Sequence, residues 1–557
     1  MVLREEIARR INGDVADDAE TLKAHSRDTS IFERRPALVV YPKDARDVVA
    51  LVRFARESNE RGERVSLTAR AAGTDMSGGP LTDSVVVSFT KHMNRIIDIV
   101  AKQNGKESGY VVAEPGIFYR KLEMATLRRG AGLIPSFPAS RELCALGGML
   151  ANDSGGELTL RYGKTRDWVR ELEVVLSDGS QATLKPLTPE ELEAKKREKT
   201  LEGAIYRGMH AMIEEHGDEI ERARPVVSKN SGGYALWEIF DRTQGTFDLS
   251  KLVIGSQGTL ALVTKARVAL AQPKAHKAML VIFLSDLKIL PEIVRRVMQF
   301  RPESFESYDD HTFTLAMKLL PQLLANMGIL RAMRLGFAFL PELGIVIRGG
   351  IPKLILMAEF AEDTDEAARD KVRDTRHALE DLPVSTRMTH GRGSEKYWVV
   401  RREAFAILRK KLPGLTAAPF IDDFVVPPES YPEFLPRLFE LLDAEKFIYA
   451  VTGHVGDGNF HIFPLVNLSQ PDAHTMILEL MPKVYALVKE FHGSTTGEHN
   501  DGIIRTPFLD TMFSPRMLAL FGEVKRLWDP ANILNPGKKV GGTLSDIERY
   551  MIRGPIS

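Results

Sequence analysis

RAAGTDMSGG at positions 70–79, LGGMLANDSGG at 146–156 and IGSQGTL at 254–260 are the stretches on which the fold reading turns. Each follows an apolar stretch, RVSLTA (64–69) in the first case. Glycine lets a backbone approach a ligand closely and take positive φ. Successive free N–H groups in such turns form an anion-binding nest, and Thr74 and Ser77 add hydroxyl donors. One such cluster reads as a tight turn; three together are harder to explain as turns alone. Neither G-x-G-x-x-G after a strand nor G-x-x-x-x-G-K-[ST] occurs, so both standard phosphate motifs are absent.

Outward from these loops, ALVVYPKDARDVVALVRF (37–54) reads as a strand, a proline break and a helix. Strands are expected at 85–89 and 110–113, a helix over 117–129, and a hairpin arm at 171–176 before Asp178-Gly179. Thr188-Pro189 gives a helix N-cap and first turn in a charge-rich surface segment. After about residue 275 strands alternate with longer helices, and 510–550 is mostly helical. The pattern predicts an α+β protein with units at 1–275, 276–480 and 481–557.

The 557 residues balance 75 Lys plus Arg against 75 Asp plus Glu, which argues against a dedicated nucleic-acid binder. A single cysteine, Cys144, excludes a disulfide framework and a Cys-ligated iron–sulfur cluster within the chain. The N-terminus is charged, without an apolar signal region. The longest apolar run, 335–347, has 13 residues and holds Pro341 and Glu342, too short to span a bilayer. A cytoplasmic location is expected. Segment 319–357 reads either as helices packed in the second domain or as an amphipathic contact to the inner face of a membrane.

A second chemical cluster lies at 447–466, FIYAVTGHVGDGNFHIFPLV. A two-residue turn at Asp457-Gly458 predicts a hairpin with His454 directly opposite His461, on one face. Two imidazoles so placed can share a divalent ion. A third ligand must come from elsewhere, and TGEHNDG (496–502) offers Glu498 and His499 on opposite sides of an extended segment.

Two resemblances follow. PALVVYP (36–42), Arg70 to Gly78, Glu114-Pro115-Gly116, Pro138 to Ser140, Gly147-Gly148 and Gly255 to Leu260 occur in the order found in the FAD-binding domain of the vanillyl-alcohol oxidase / p-cresol methylhydroxylase (PCMH) superfamily. Ala71, Ala72, Asp153 and Gln257 depart from its usual residues. Gly453 to His461, Gly497 to His499, Trp398 to Arg401 and Lys525 to Lys538 resemble the D-lactate dehydrogenase, D-2-hydroxyglutarate dehydrogenase and glycolate oxidase catalytic-subunit group.

The resemblance implies a two-subdomain PCMH-type FAD-binding domain, an α+β cap domain with an antiparallel sheet, and a C-terminal segment completing the site. It implies FAD held by Arg70, Gly73, Thr74, Ser77, Gly78, Pro138, Ser140, Gly147, Gly148, Asn152, Gly155, Gly258 and Asn535. The first loop has no histidine, so the FAD is expected to be non-covalent. His454, His461 and Glu498 would bind a divalent metal, zinc in the first instance; His499 would be the base and Arg401 the clamp on a substrate carboxylate. The group's diacid-oxidising members carry a lysine where Ile421 stands and an asparagine where Phe463 stands. The expected reaction is oxidation of a D-2-hydroxy acid, D-lactate before a diacid, with electrons passed to an external quinone, cytochrome or electron-transfer protein. The competing readings are an alkyl-dihydroxyacetone-phosphate synthase-like enzyme and a non-catalytic flavin subunit.

Overall fold

The computed structural model describes residues 2–102, 109–310, 351–391, 393–401, 414–445 and 447–553. Of segment 319–357, residues 319–350 lie outside this set, so its proposed membrane contact does too. No helix among the described residues is long and apolar enough to cross a membrane.

Among the described residues, two larger sheets and the short pair Phe240–Asp241 with Thr246–Phe247 are built from the first half of the chain. Strands Leu38–Tyr41, Val85–Ser88 and Leu67–Arg70 run parallel, with Asp14–Ala16 antiparallel at the edge. Val85–Ser88 is buried along its whole length, as a central parallel strand must be. Helix Ala45–Glu60 starts where the Asp44 carboxylate accepts the Arg46 and Asp47 N–H groups. Its buried residues Val48, Leu51, Val52, Phe54 and Ala55 join the core of this sheet.

The second sheet is antiparallel and five-stranded, in the order Ile96–Val100, Tyr110–Ala113, Leu262–Ala269, Val169–Val175 and Gln181–Leu184. Burial alternates along Leu262–Val268, the mark of a strand with one face on a core. Helix Pro515–Trp528 returns to the same core through Leu520, Val524 and Trp528. The Thr188 capping box opens helix Pro189–Arg197 as the sequence implies. Cys144 is buried in this core too, and burial pushes its thiol up to about 12.

The largest sheet has, among the described residues, eight strands, all antiparallel, drawn from 276–466. Its centre is His276–Leu284, Leu354–Glu362, Ser304–Asp309, Ile448–His454 and Asn459–Val466. This is the α+β architecture with an antiparallel cap sheet.

The tail KRLWDPANILNPGK (525–538) bolts these parts together. The Lys525 ammonium donates to Asp529 (2.6 Å) and to the carbonyls of Thr259 (2.8 Å) and Leu534 (2.7 Å). Asp529 in turn accepts the N–H of Ile533 and Leu534 at 3.1 and 2.7 Å. Lys538 is buried, with Nζ 2.6 Å from the Leu81 carbonyl.

Burial, helped by the Arg34 charge, pushes the Lys538 ammonium down to about 7 from 10.5. The unfolded chain therefore takes up this proton first, and stability falls as pH drops from about 10 toward 7. Lys538→Met should flatten the fall in Tm between pH 9 and pH 7 measured by calorimetry; parallel profiles for the two proteins would refute the assignment.

Candidate active site

The paired histidines sit on one hairpin, in a register different from the two-residue turn expected. His454 pairs with Asn459, and His461 with Thr452. The connection is the 3-10 turn Val455–Asp457 followed by Gly458 at φ +72°. Tertiary pairing explains the wider loop: the Gly458 carbonyl accepts the Val426 N–H at 3.0 Å, and a Cβ at Gly458 would strike the Val426 carbonyl. The slip is two residues, so both imidazoles stay on one face as diagonal neighbours. Their ring centroids lie 5.3 Å apart.

Glu498 comes to the same point from the TGEHNDG segment, with Oε1 3.5 Å from His454 Nε2. Ligand atoms of His454, His461 and Glu498 all fall within 4.8 Å of one another. The sets Asp422–His461–His499 and Asp423–Glu498–His499 meet the same criterion. Hydrogen bonding separates the three. His454 Nδ1 is held by Glu306 (2.7 Å) and His461 Nδ1 by Asp422 (3.0 Å), which leaves each Nε2 for a ligand. This is the outer-partner arrangement of metal-binding histidines. Asp423 is engaged elsewhere: its carboxylate accepts the N–H of Glu498 (2.9 Å) and His499 (2.6 Å), the Thr496 hydroxyl (2.7 Å) and the Asn459 amide (3.1 Å).

The donor set suits a divalent cation. Buried carboxylates of Glu306, Asp422, Asp423, Asp457 and Glu498 face the cations Lys229, Arg401 and Arg505. Two imidazole nitrogens and a carboxylate oxygen are the ligand types a zinc site takes. Burial alone would raise the Glu498 carboxyl, but Lys229 (Nζ 2.5 Å from Oε1) and His454 hold it well below the ordinary range. Burial would lower His454, and the Glu306 carboxylate outweighs it, so His454 lies above its usual value. For His499, the Asp423 and Asp422 charges overcome desolvation and push it up to about 9.

Arg401, in the helical residues 393–401, is buried and ion-paired with Glu306. It thus braces the carboxylate that orients His454, while its Nε has no hydrogen-bond partner among the described residues.

The three glycine loops converge on the same segment. A Cβ at Gly155 would meet Glu498 Oε1 at 3.0 Å. Asn500 donates to the carbonyls of Gly255 (2.9 Å) and Asn152 (3.3 Å), and the Gly502 N–H to Gln257 Oε1 (2.8 Å). Ile503 N–H reaches the Ser77 carbonyl at 2.8 Å. Asn535 donates to the carbonyls of Gly79 (3.0 Å) and Gln257 (2.7 Å) and accepts from Thr68 (3.1 Å). Its place is a clamp between the first and third loops.

Within the first loop, Gly73 and Gly78 take φ +74° and +81°. The Arg70 guanidinium lies beneath Gly73 and donates to the Arg27 carbonyl at 2.7 Å. The Thr74 carbonyl accepts the Thr29 hydroxyl at 3.1 Å. Ser77 and Gly79 give their N–H groups to Asp75 (2.9 and 2.8 Å), and Gly78 to Asp28 (3.1 Å). The Ser77 hydroxyl also donates to Asp75 (2.8 Å). Internal carboxylates thus occupy this end of the loop, and the 71–74 backbone is the part engaged by neither.

In the second loop the Gly147 and Gly148 N–H groups are bonded to the Pro115 and Ala145 carbonyls at 2.7 and 3.0 Å, and a Cβ at Gly148 would meet only the Ala71 Cβ, at 3.9 Å. A Cβ at Gly258, which sits at φ +69°, would meet only the Ala69 Cβ, at 3.4 Å. Those two positions leave the open space that a cofactor backbone needs. The Asn152 amide donates to Asp75 at 2.7 Å. Pro138 and Ser140 form a half-buried turn whose carbonyls accept the Arg141 and Cys144 N–H groups at 3.0 and 2.9 Å.

Lys229, Glu306, Asp422 and Asp423 were not singled out from the sequence. Glu306 carried a signal: it is an acid on a short strand, SFESYD, that is buried throughout. Lys229, in VVSKNSGG, had no periodic or motif context.

Residues 273–539 match the family FAD linked oxidases, C-terminal domain, and residues 36–185 the family FAD binding domain. The chain is 28% identical over 537 residues to D-2-hydroxyglutarate dehydrogenase of Escherichia coli (strain K12), covering 94% of this chain and 50% of that protein. It is 27% identical over 505 residues to D-lactate dehydrogenase of Archaeoglobus fulgidus, covering 90% and 91%. The chain spans about half the length of the D-2-hydroxyglutarate dehydrogenases it matches. Among solved structures, a 4-ethylphenol oxidase from Gulosibacter chungangensis has a TM-score of 0.67 over 97% of both chains at 16% identity. An alkyldihydroxyacetonephosphate synthase has a TM-score of 0.64 over 96% of this chain and 84% of its own, at 15% identity. These two share the fold.

Asp423→Asn would turn an amide toward the donors that the carboxylate now accepts. Loss of these buried bonds should cost roughly 3 kcal/mol or more and lower the calorimetric Tm by several degrees. An unchanged Tm would show that the segment is held by other means.

Proposed function

The chain belongs to the FAD-linked oxidases, and from that membership we propose that it oxidises a D-2-hydroxy acid, D-lactate first, to the 2-oxo acid. The observation that carries the proposal is the meeting of His454, His461, Glu498 and His499 at the edge of the second glycine loop. A flavin subunit without chemistry of its own has no use for such a set.

When bound, FAD supplies the two-electron acceptor and a divalent metal, zinc in the first instance, supplies the Lewis acid that makes a hydroxyl more acidic. His454, His461 and Glu498 would hold the metal, their outer partners fixing each ring nitrogen in place. Arg401 would receive the substrate carboxylate, exchanging part of its contact with Glu306. In its neutral form His499 would take the hydroxyl proton at its outward nitrogen as the substrate loses its Cα hydrogen and an electron pair. Gly148 and Gly258 leave room for the cofactor, and the 71–74 backbone offers N–H groups to its pyrophosphate. Electrons then leave to an external quinone, cytochrome or electron-transfer protein, because Cys144 alone cannot ligate a cluster.

The preference for a monocarboxylate rests on Ile421, fully buried, and on Phe463, whose ring lies 6.4 Å from that of His461 at 15°. Neither can pair with a distal carboxylate. The names of the E. coli relative and its kin favour D-2-hydroxyglutarate as the second reading.

Anaerobic mixing of the FAD-loaded protein with a panel of hydroxy acids decides among these readings. D-Lactate is expected to bleach the flavin faster than D-2-hydroxyglutarate, and L-lactate not at all. A flavin that none of them reduces would end the proposal. His499→Ala should slow the reduction ~10²–10⁴-fold, the usual share of a general base, and removal of metal by a chelator should abolish it until zinc or manganese is restored.

A further inference from the structure

The carboxylate of Asp422 has no solvent exposure and touches two imidazoles at once. Oδ1 lies 3.0 Å from His461 Nδ1, and Oδ2 lies 2.7 Å from His499 Nδ1. The two rings stack with centroids 5.1 Å apart and planes at 28°. His461 Nδ1 is hydrogen-bonded to this carboxylate, and His499 Nδ1 is in close ion-pair contact with its other oxygen without hydrogen-bond alignment, so both Nε2 atoms turn away from it. One of these rings belongs to the candidate metal triad and the other is the proposed base.

The mount is rigid. Arg505, itself buried, donates from Nη2 to the Asp422 carbonyl (2.6 Å) and from Nη1 to the Asn500 carbonyl (3.0 Å). Ile421 on one side is fully buried, and Asp423 on the other is fixed at φ +69° by the bonds its carboxylate makes. The Asp422 side chain therefore has no freedom to serve one histidine at the expense of the other.

We propose that Asp422 is a positioning residue that aims the metal-facing imidazole of His461 and the proton-accepting imidazole of His499 with the two oxygens of a single carboxylate. Metal retention and proton abstraction are thereby geared to one side chain. This rests on the metal and base roles proposed above, and its test separates from theirs. A ligand histidine whose outer partner is lost still reaches the metal, but its ring is no longer held in one tautomer and orientation.

The experiment uses the full-length, FAD-loaded protein and Asp422→Asn, with flavin content and Tm measured on both. Zinc affinity is read by competition with a chromophoric chelator, with no substrate present. Asp422→Asn should weaken zinc ~10–100-fold, the effect of losing an outer partner. At saturating zinc, anaerobic flavin reduction is then compared in Asp422→Asn, His499→Ala and the double variant. The double variant should be no slower than His499→Ala alone, because Asp422 acts on the proton through that ring. A general structural defect would instead slow the two variants independently. If Asp422→Asn loses its flavin, Asp422→Glu, which keeps the charge and displaces both oxygens, carries the same two readouts. Unchanged zinc affinity, or additive losses in the double variant, would overturn the proposal. A parent protein that takes up no zinc would instead overturn the metal reading on which it rests.

Discussion

One carboxylate, that of Asp423, holds the loop on which the site depends. It accepts the backbone N–H groups of Glu498 and His499, and so dictates where a candidate ligand and a candidate base can stand. Asp423 itself sits at φ +69°, a conformation that L-residues adopt reluctantly. The hydrogen bonds of its side chain offset that strain. Its neighbour Asp422 contacts imidazoles rather than amides. Two consecutive acids thus fix the backbone and the side chains of the same constellation.

Because the 496–502 segment is also sewn to all three glycine loops, the metal-type donors and the cofactor cradle form one packed unit. A Cβ at Gly155 would press on Thr159 at 2.8 Å and on Glu498 at 3.0 Å, and Asn500 and Gly502 are tied to the second and third loops. The C-terminal tail tightens this through Asn535 and Lys525, whose buried polar groups are paired with loop carbonyls. Such an arrangement limits reorganisation during reaction, which is where much of an enzyme's rate advantage originates.

The sequence made visible those parts of the site that carry a local rule. Glycines at positive φ flagged the loops, and the period of two along a strand put His454 and His461 on one face even though the turn was two residues longer than expected. What it did not reveal are partners distant along the chain. Glu306 reaches His454 across 148 residues and Lys229 reaches Glu498 across 269. No spacing rule encodes such pairs. Ser77 and Gly78 were expected to face a pyrophosphate, yet Asp75 and Asp28 take their N–H groups, because a short acid inside a glycine loop competes for the same nest. Arg401 likewise reached the site with an unforeseen companion, Glu306.

In the proposed function two imidazoles and a carboxylate bind a divalent ion beside the flavin. A crystal of the FAD- and zinc-loaded protein, measured at the zinc absorption edge, addresses it directly. One anomalous peak is expected, ~2.0–2.2 Å from His454 Nε2, His461 Nε2 and a Glu498 oxygen, on the side of the isoalloxazine that faces His499. A peak bound by other residues, or no ordered zinc near the flavin, would contradict it.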